Sequence, residues 1–355
     1  MAGKCQTMTA DMTKNKAEIQ TEVLAAVLHD RVGQVYGAGT GIDGLVRLSG
    51  GASRETWSFD ALLPGGERKP LILKRDPLDE QTDTTLIEGE VRLGVDRWTE
   101  GRLMQLAGEV GVPVPDVPFF LDADERTSAG FVMRRLEGEA LGRRILREDA
   151  YALARPKLAF QCGQAAARLH GIATDGLPPL PRLPVREALD YNRDVVDSFR
   201  QPHAGFEYAF HWLRERLELA GGRVGLVHGD YRNGNFLVDA EGLAGVLDWE
   251  LGHLGNPLND LGWICIRAWR YGYYDKPVGG FGEIEDLLDG YDAGGGGRVS
   301  REALHFWEVF GCMRWGVICM TLAFTHISGR ERSLEKVAIG RRAAEGEYDM
   351  LQLVD

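Results

Sequence analysis

The chain has 355 residues, 44% of them hydrophobic and 26% charged, an ordinary globular composition with length enough for two lobes and a large core. Its formal net charge of −12, with no basic run longer than a pair, argues against a nucleic-acid binder, because phosphate contacts need clustered Lys and Arg. Five cysteines, at 5, 162, 265, 312 and 319, form neither a C-x-x-C pair nor zinc spacing, so reduced thiols in a cytoplasmic protein are expected.

Residues 1–17 lack the apolar core of a signal peptide and read as a flexible tail. Glu18 to Leu28 has the spacing of an amphipathic helix, and GAGTGIDGL after it reads as a loop. From Leu45 to Lys74 short β-prone runs alternate with turns, which predicts a small antiparallel sheet. Val95 to Val110 returns to helical spacing. The segment GVPVPDVPFFLDADERTSAGFVMRRLEG then predicts Pro-bounded strands with a hairpin between them, and after Gly138 the chain is mainly helical. Ala303 to Ile327 is the most apolar long segment; Glu308 and Arg314 interrupt it, so a buried helix is expected in place of a membrane span. The pattern is α+β: a β-rich lobe over 18–135 and a larger helical lobe over 136–355, joined near Met133 to Gly138.

The exception to the helical remainder is LVHGDYRNGNFLVDAEGLAGVLDWE, Leu226 to Glu250. Asn, Asp and Gly are turn residues, and turns alone would account for them. FLV and GVL flanking DAEG, however, read as a hairpin. Counting outward from its turn sets Val238 opposite Leu243 and Asn235 opposite Val246, so Asn233, Asn235 and Asp248 gather at the open end beside the loop carrying Asp230. The Asn235 amide oxygen and the Asp248 carboxylate suit Mg²⁺, which takes hard oxygen ligands and usually rests on one or two carboxylates plus substrate phosphates. Asp230, five residues before Asn235, sits where a base for an attacking hydroxyl belongs.

Further upstream, SGGAS (Ser49 to Ser53, with Gly50, Gly51 and Ser53) would expose backbone N–H groups to a phosphate, although glycine turns are common. Lys74 ends the LILK strand, with Arg75 on the opposite face. Glu100 shares a helical stripe with Leu103, Met104 and Ala107; a carboxylate buried there must be paired, which makes it a candidate partner for Lys74, whereas at the solvent end of the stripe it would need none. Glu88 and Glu90 are rival candidates.

Glycine-rich hairpin, strand lysine, helix glutamate, lobe join, HGD-x₄-N and a strand-borne LDWE follow one another in the order of the protein-kinase-like fold. HGDYRNGN resembles the signature of the aminoglycoside phosphotransferase and choline kinase family. With LSGGASRETW and NPLNDLGW the chain looks most similar to bacterial phosphotransferases related to domains fused to acyl-CoA dehydrogenases. The resemblance covers Leu45 to Trp263, and its departures are SGGAS in place of G-x-G-x-x-G and a lengthened stretch from Gly89 to Thr99. It implies a bilobal fold and ATP-dependent phosphorylation of a small-molecule hydroxyl. Asp230 would be the catalytic base, Asn235 and Asp248 the Mg²⁺ ligands, and Lys74, held by Glu100, would meet the α and β phosphates. Backbone groups near Met133, Arg134 and Leu136 would face the adenine.

By the same analogy His228 is expected to brace the loop. Asp260 has two readings, an N-cap of the helix beginning in NPLNDLGW or a carboxylate that steadies the catalytic loop or reaches the acceptor. Only eleven residues separate Asp248 from Asp260, too few for the peptide platform of a protein kinase, so the acceptor is expected to be a small molecule. Trp249, Trp263, Trp269, Tyr271, Tyr273, Tyr274, Trp307 and Trp315 could be core or could line an apolar or quaternary-amine pocket. A hydroxyacyl-type acceptor, an aminoglycoside or choline-like amino alcohol, and a non-catalytic nucleotide-binding module all remain open at this point.

Overall fold

The computed structural model describes residues 2–48, 55–77, 94–124 and 126–354, with side chains from Glu18 onward. It falls into two compact units: Met1–Asp83, Asp96–Arg102 and Pro115–Leu136 form one, and Thr84–Val95, Leu103–Val114 and Glu137–Asp355 the other.

In the first unit α1 (Ala2–Tyr36) is followed by strands β1 (Gly41–Arg47), β2 (Glu55–Leu62) and β3 (Arg68–Arg75), by the first turns of α2 (Arg97–Glu109), and by β4 (Phe119–Leu121) and β5 (Gly130–Arg134). α1 is longer than the helix expected from Glu18 to Leu28, and its backbone takes in residues 2–17. The five strands make one antiparallel sheet in the order β1-β2-β3-β5-β4. The stretch read as a loop at GAGTGIDGL is only partly one, because Gly41, Ile42 and Asp43 already pair with Leu62, Ala61 and Asp60.

Alternation decides which face of the sheet is covered. Trp57, Phe59 and Ala61 on β2, with Leu71 and Leu73 on β3, meet Leu24, Val27, Leu28 and Val32 of α1 in one buried cluster. Those four helix positions recur at the spacing of one helical face, so burial of this stripe docks α1 on the sheet. Lys74, between Leu73 and Arg75, therefore projects from the other face. Arg75 binds Glu55 at 2.8 Å on its own face.

The second unit is mainly helical: α3 (Gly142–Arg147), α4 (Arg155–His170), α5 (Val185–Ser198) and α6 (Ala204–Arg214) precede four short strands, β6 (Gly225–Val227), β7 (Phe236–Val238), β8 (Leu243–Val246) and β9 (His253–Gly255). Helices α7 (Leu258–Cys265), α8 (Ile284–Ala293), α9 (Arg301–Ile327), α10 (Leu334–Gly340) and α11 (Ala343–Val354) complete it. Among the described residues α9 is the one helix long and apolar enough to cross a membrane. It packs against α7, α10 and α11, and its Phe306, Trp307, Val309, Phe310 and Met313 belong to the largest buried cluster. Cys162, Cys265, Cys312 and Cys319 are buried free thiols, and burial alone pushes Cys162 above the ordinary thiol range.

Candidate active site

Strands β7 and β8 pair as the expected hairpin, with Val238 opposite Leu243. Its outer register departs from uniform counting. A bulge at Leu237/Val238 moves the partner strand along by one, so Phe236 faces Val246, and the Leu247 N–H donates to the Asn235 carbonyl at 2.8 Å. Asn235 therefore lies opposite Leu247, not Val246, because a bulge sets two residues of one strand against one of the other. Asp248 follows with φ of +65°, a left-handed backbone that Asp tolerates better than most side chains.

The preceding loop is organised around Asp230. Its Oδ2 accepts from Asn235 Nδ2 at 2.6 Å, its Oδ1 from Trp263 Nε1 at 2.8 Å, and Arg232 Nε reaches the two oxygens at 3.0 and 3.1 Å. Asn235 Nδ2 also donates to the Asp230 carbonyl at 2.9 Å. The NH₂ end of Asn235 is thus committed to Asp230, and Oδ1 is the end that can take a cation. The three N–H donors make four contacts with the two Asp230 oxygens and so fix the orientation of its carboxylate.

Arg232 gave no sequence signal beyond its place between Asp230 and Asn235. Burial opposes its charge, but Asp230, Tyr271 and Asp248 outweigh that and raise its pKa. Its guanidinium lies 4.3 Å from the Trp269 ring centre. Asn233 turns away from Asp230: its Nδ2 donates to Gly279 O at 2.7 Å, and its own carbonyl accepts from Tyr271 Oη at 3.0 Å.

The loop is held from beneath by Asp260. Oδ2 accepts the His228 N–H at 2.7 Å and Oδ1 the Gly229 N–H at 3.0 Å, while His170 Nε2 donates to Oδ2 at 3.1 Å. Of the two readings of Asp260, the geometry is that of the brace: it lies inside α7, and Asn256 Oδ1 accepts from the Leu258 N–H at the helix start. Burial opposes its charge, but the hydrogen bonds from His170 and from the His228 N–H help to lower its pKa. Gly229 has φ of +83°, and a Cβ there would stand 2.5 Å from Leu251 O, so the turn requires glycine.

His228 donates from Nε2 to Leu247 O at 3.1 Å and accepts the Asp230 N–H at Nδ1 at 3.2 Å. That pattern defines the neutral tautomer with the proton on Nε2, and burial lowers its pKa. His228 is a brace between the loop and the strand end that carries Asp248.

In the first unit Lys74 Nζ meets Glu100 Oε1 at 2.6 Å. Arg97 binds the other oxygen of Glu100, and its Nε lies 3.3 Å from Asp76. Glu100 is fully buried, so these cations are what makes its burial tolerable. The helix can approach because residue 101 is glycine, where a Cβ would lie 2.6 Å from the Phe120 ring. α2 starts one turn before Glu100, where the Thr99 N–H binds Asp96 Oδ1 at 2.7 Å. Met133 and Arg134 lie on β5 and Leu136 just beyond it, with Met133 opposite Ile72 and Arg134 opposite Leu71 of β3. Gly50, Gly51 and Ser53, like Glu88 and Glu90, fall outside the described residues.

The aromatic residues divide. Trp249, Trp263, Trp269 and Trp307 are buried, and Tyr274 is half exposed with Arg267 over its ring at 3.9 Å. A cavity of about 460 Å³ lies elsewhere, between Trp212, Arg216, Leu219, Ile284 and the α9 residues Arg301, Leu304, His305 and Glu308, and none of the loop residues lines it. Among the described residues no group of three or more His, Cys, Asp or Glu is arranged to hold a metal ion.

A braced Asp-Asn loop following an antiparallel sheet with a lysine–glutamate pair defines the kinase-like class of phosphotransferases. The model of the phosphotransferase enzyme family (APH) matches residues 44–296, and the chain belongs to that family. Among solved structures, a candidate aminoglycoside phosphotransferase of Ralstonia eutropha JMP134 superposes with a TM-score of 0.71 at 18% identity, covering 94% of this chain and 98% of that one. The macrolide 2'-phosphotransferase MphH of Brachybacterium faecium gives 0.57 at 17% identity over 91% and 97%. The aminoglycoside phosphotransferase APH(4)-Ia, solved with AMP-PNP and hygromycin B, gives 0.56 at 15% identity over 92% and 97%. These likenesses show an α+β, kinase-like fold. A probable acyl-CoA dehydrogenase of Arabidopsis thaliana, IBR3, is 38% identical over 61 residues, which are 16% of this chain and only 7% of that protein.

Proposed function

We propose that this phosphotransferase moves the γ-phosphoryl group of ATP to a hydroxyl of a small molecule, with Asp230 as the base. The observation that carries the reading is the orientation of the Asp230 carboxylate by Asn235, Trp263 and Arg232 on a loop braced by Asp260. The acceptor oxygen attacks the γ-phosphorus, its proton passes to Asp230, and the bond from phosphorus to the ADP oxygen breaks. Positioning and neutralisation of oxygen charge do most of the work in such a transfer.

Asn235 Oδ1 and the Asp248 carboxylate are the proposed Mg²⁺ ligands. An amide oxygen and one carboxylate fit an ion that keeps waters and shares phosphate oxygens. When bound, the ion supplies positive charge to the phosphates. Lys74, aimed by Glu100, is proposed for the α and β phosphates, and the backbone from Met133 to Leu136 for the adenine. Bound AMP-PNP in the structure of APH(4)-Ia supports a nucleotide donor.

The acceptor proposed is a hydroxyacyl-type metabolite, supported by the short match to a probable acyl-CoA dehydrogenase. The alternative is an amino alcohol or aminoglycoside, which the hygromycin B bound in the APH(4)-Ia structure supports. ATP consumption over a panel of hydroxylated metabolites tests the reading. Asp230→Asn is expected to keep nucleotide affinity and lose about 10²- to 10⁴-fold in turnover; turnover near the wild-type level would remove Asp230 from the role of base.

A further inference from the structure

Next to Asp230 three tryptophans pack edge to face. Trp263 and Trp269 have ring centres 5.3 Å apart, Trp269 and Trp315 4.8 Å, and Trp263 and Trp315 6.5 Å. Arg314, beside Trp315 on α9, places its guanidinium 4.7 Å from the Trp263 ring centre and donates from Nη2 to Gly229 O at 3.0 Å. The same Trp263 donates to Asp230 Oδ1 at 2.8 Å, so this cluster adjoins the proposed base directly.

The hydrogen bonds do not close. Trp269 Nε1, Trp315 Nε1 and Arg314 Nη1 are buried atoms without a hydrogen-bond partner among the described residues. Buried N–H groups are nearly always paired, and each one left bare is costly. Within this cluster every unpaired group is a donor, and one belongs to a guanidinium. Burial works against the charge of Arg314, with Asp230 and Asp260 acting the other way. Arg314 and Trp315 keep part of their side chains exposed, whereas the three donor atoms themselves are covered, so a ligand reaches them only by displacing what covers them. An ammonium group, which brings only further donors, would leave those three N–H groups unpaired.

We infer that Arg314, with the indole N–H groups of Trp269 and Trp315, binds an acyl oxygen of the phosphoryl acceptor, a carboxylate or a thioester carbonyl carried near the hydroxyl that Asp230 deprotonates. The inference rests on the phosphotransfer reading above and sharpens its acceptor class. A carboxylate or carbonyl supplies the acceptor directions that the three donors lack, and it sets the hydroxyl end of the molecule toward Trp263 and Asp230. Arg314 is here a specificity-determining residue.

The test is a tryptophan-fluorescence titration of the full-length protein with β-hydroxybutyrate, its N-acetylcysteamine thioester, the matching butanediol and aminobutanol, in parallel with ATP consumption on the same four compounds. The acyl compounds are expected to bind at least about ten-fold more tightly than the diol or the amino alcohol. Arg314→Lys, which keeps the charge but not the fork, and Trp315→Phe, which keeps the ring but not the N–H, are each expected to weaken acyl binding by about 10- to 100-fold and leave diol binding unchanged. The acyl acceptor KM should rise in both variants while the KM for ATP stays. Tighter binding of the free acid than of the thioester identifies a carboxylate, and the reverse order a carbonyl. Trp315 Nε1 holds no structural hydrogen bond, so Trp315→Phe carries the test even where Arg314→Lys loosens the Gly229 turn. Diol or aminobutanol binding as tightly as the acyl compounds, no binding by any of the four, or acyl affinity unchanged in a folded Trp315→Phe protein would overturn the inference. Variant-sensitive acyl binding without ATP consumption would leave the pocket standing and bring down the phosphotransfer reading instead.

Discussion

Glu100 in the first unit and Asp260 in the second are both almost fully buried, and they are satisfied in opposite ways. Glu100 meets two long cationic side chains, Lys74 and Arg97. Asp260 takes two backbone N–H groups of the Asp230 loop and one imidazole. A lysine on four rotatable bonds can shift toward another anion without unfolding anything, whereas a backbone donor moves only with its loop. The first arrangement suits aiming a charge at a phosphate; the second suits fixing the shape of the loop that presents Asp230.

Removing each carboxylate's partners or the carboxylate itself should expose that contrast. The largest effect is expected for Asp260→Ala, which strands the His228 and Gly229 N–H groups in a buried site. A loss of roughly 3–5 kcal/mol in unfolding free energy is expected, together with a collapse of turnover, read by denaturant titration and by ATP consumption. A loss below about 1 kcal/mol would mean that the loop is held by something else.

Lys74→Met should do less to stability, about 1–3 kcal/mol, since Arg97 still faces Glu100. Its main effect is expected in the KM for ATP. Arg97→Met, which leaves Lys74 paired, should reverse the balance, with stability falling more than ATP affinity. A double-mutant cycle measures their coupling through Glu100. Equal KM changes in the two variants would erase the proposed division between aiming and support.

The smallest effect is a pH dependence that arises in the second unit. An unfolded imidazole titrates near 6.5, and burial holds His228 neutral to lower pH. The unfolded chain therefore binds that proton first, so the contribution of His228 is present above 6.5 and fades as pH drops below it. His253, also shifted down by burial, acts in the same window. The contribution of Asp260, whose carboxyl lies below its ordinary 3.8, is lost only as pH falls further, below that value. His228→Gln should flatten the decline in Tm between about pH 7 and about pH 5.5; an unchanged slope would show that His228 adds nothing to it.

Local patterns carried much of this. Period-two alternation in β2 and β3 placed Lys74 on the face away from Leu71 and Leu73, and the turn residues of DAEG placed the hairpin. The register beyond the turn was not legible, because a bulge depends on how two strands twist against each other and leaves no mark in residue type. It moved Asn235 from Val246 to Leu247.

Composition and spacing by themselves determined the α+β pattern, the helix through Ala303 to Ile327, the Asp230–Asn235 loop and the candidacy of Glu100, since each is a matter of periodicity or of neighbours in the chain. Only the tertiary structure decided what those groups touch. Arg232 and Trp263 on Asp230, Asp260 beneath His228 and Gly229, and the bare donors of Trp269, Arg314 and Trp315 bring together residues up to 85 positions apart, as Gly229 and Arg314 are. Hydrogen-bond satisfaction is a property of the packed interior, so no reading of one segment could show which donors it leaves open.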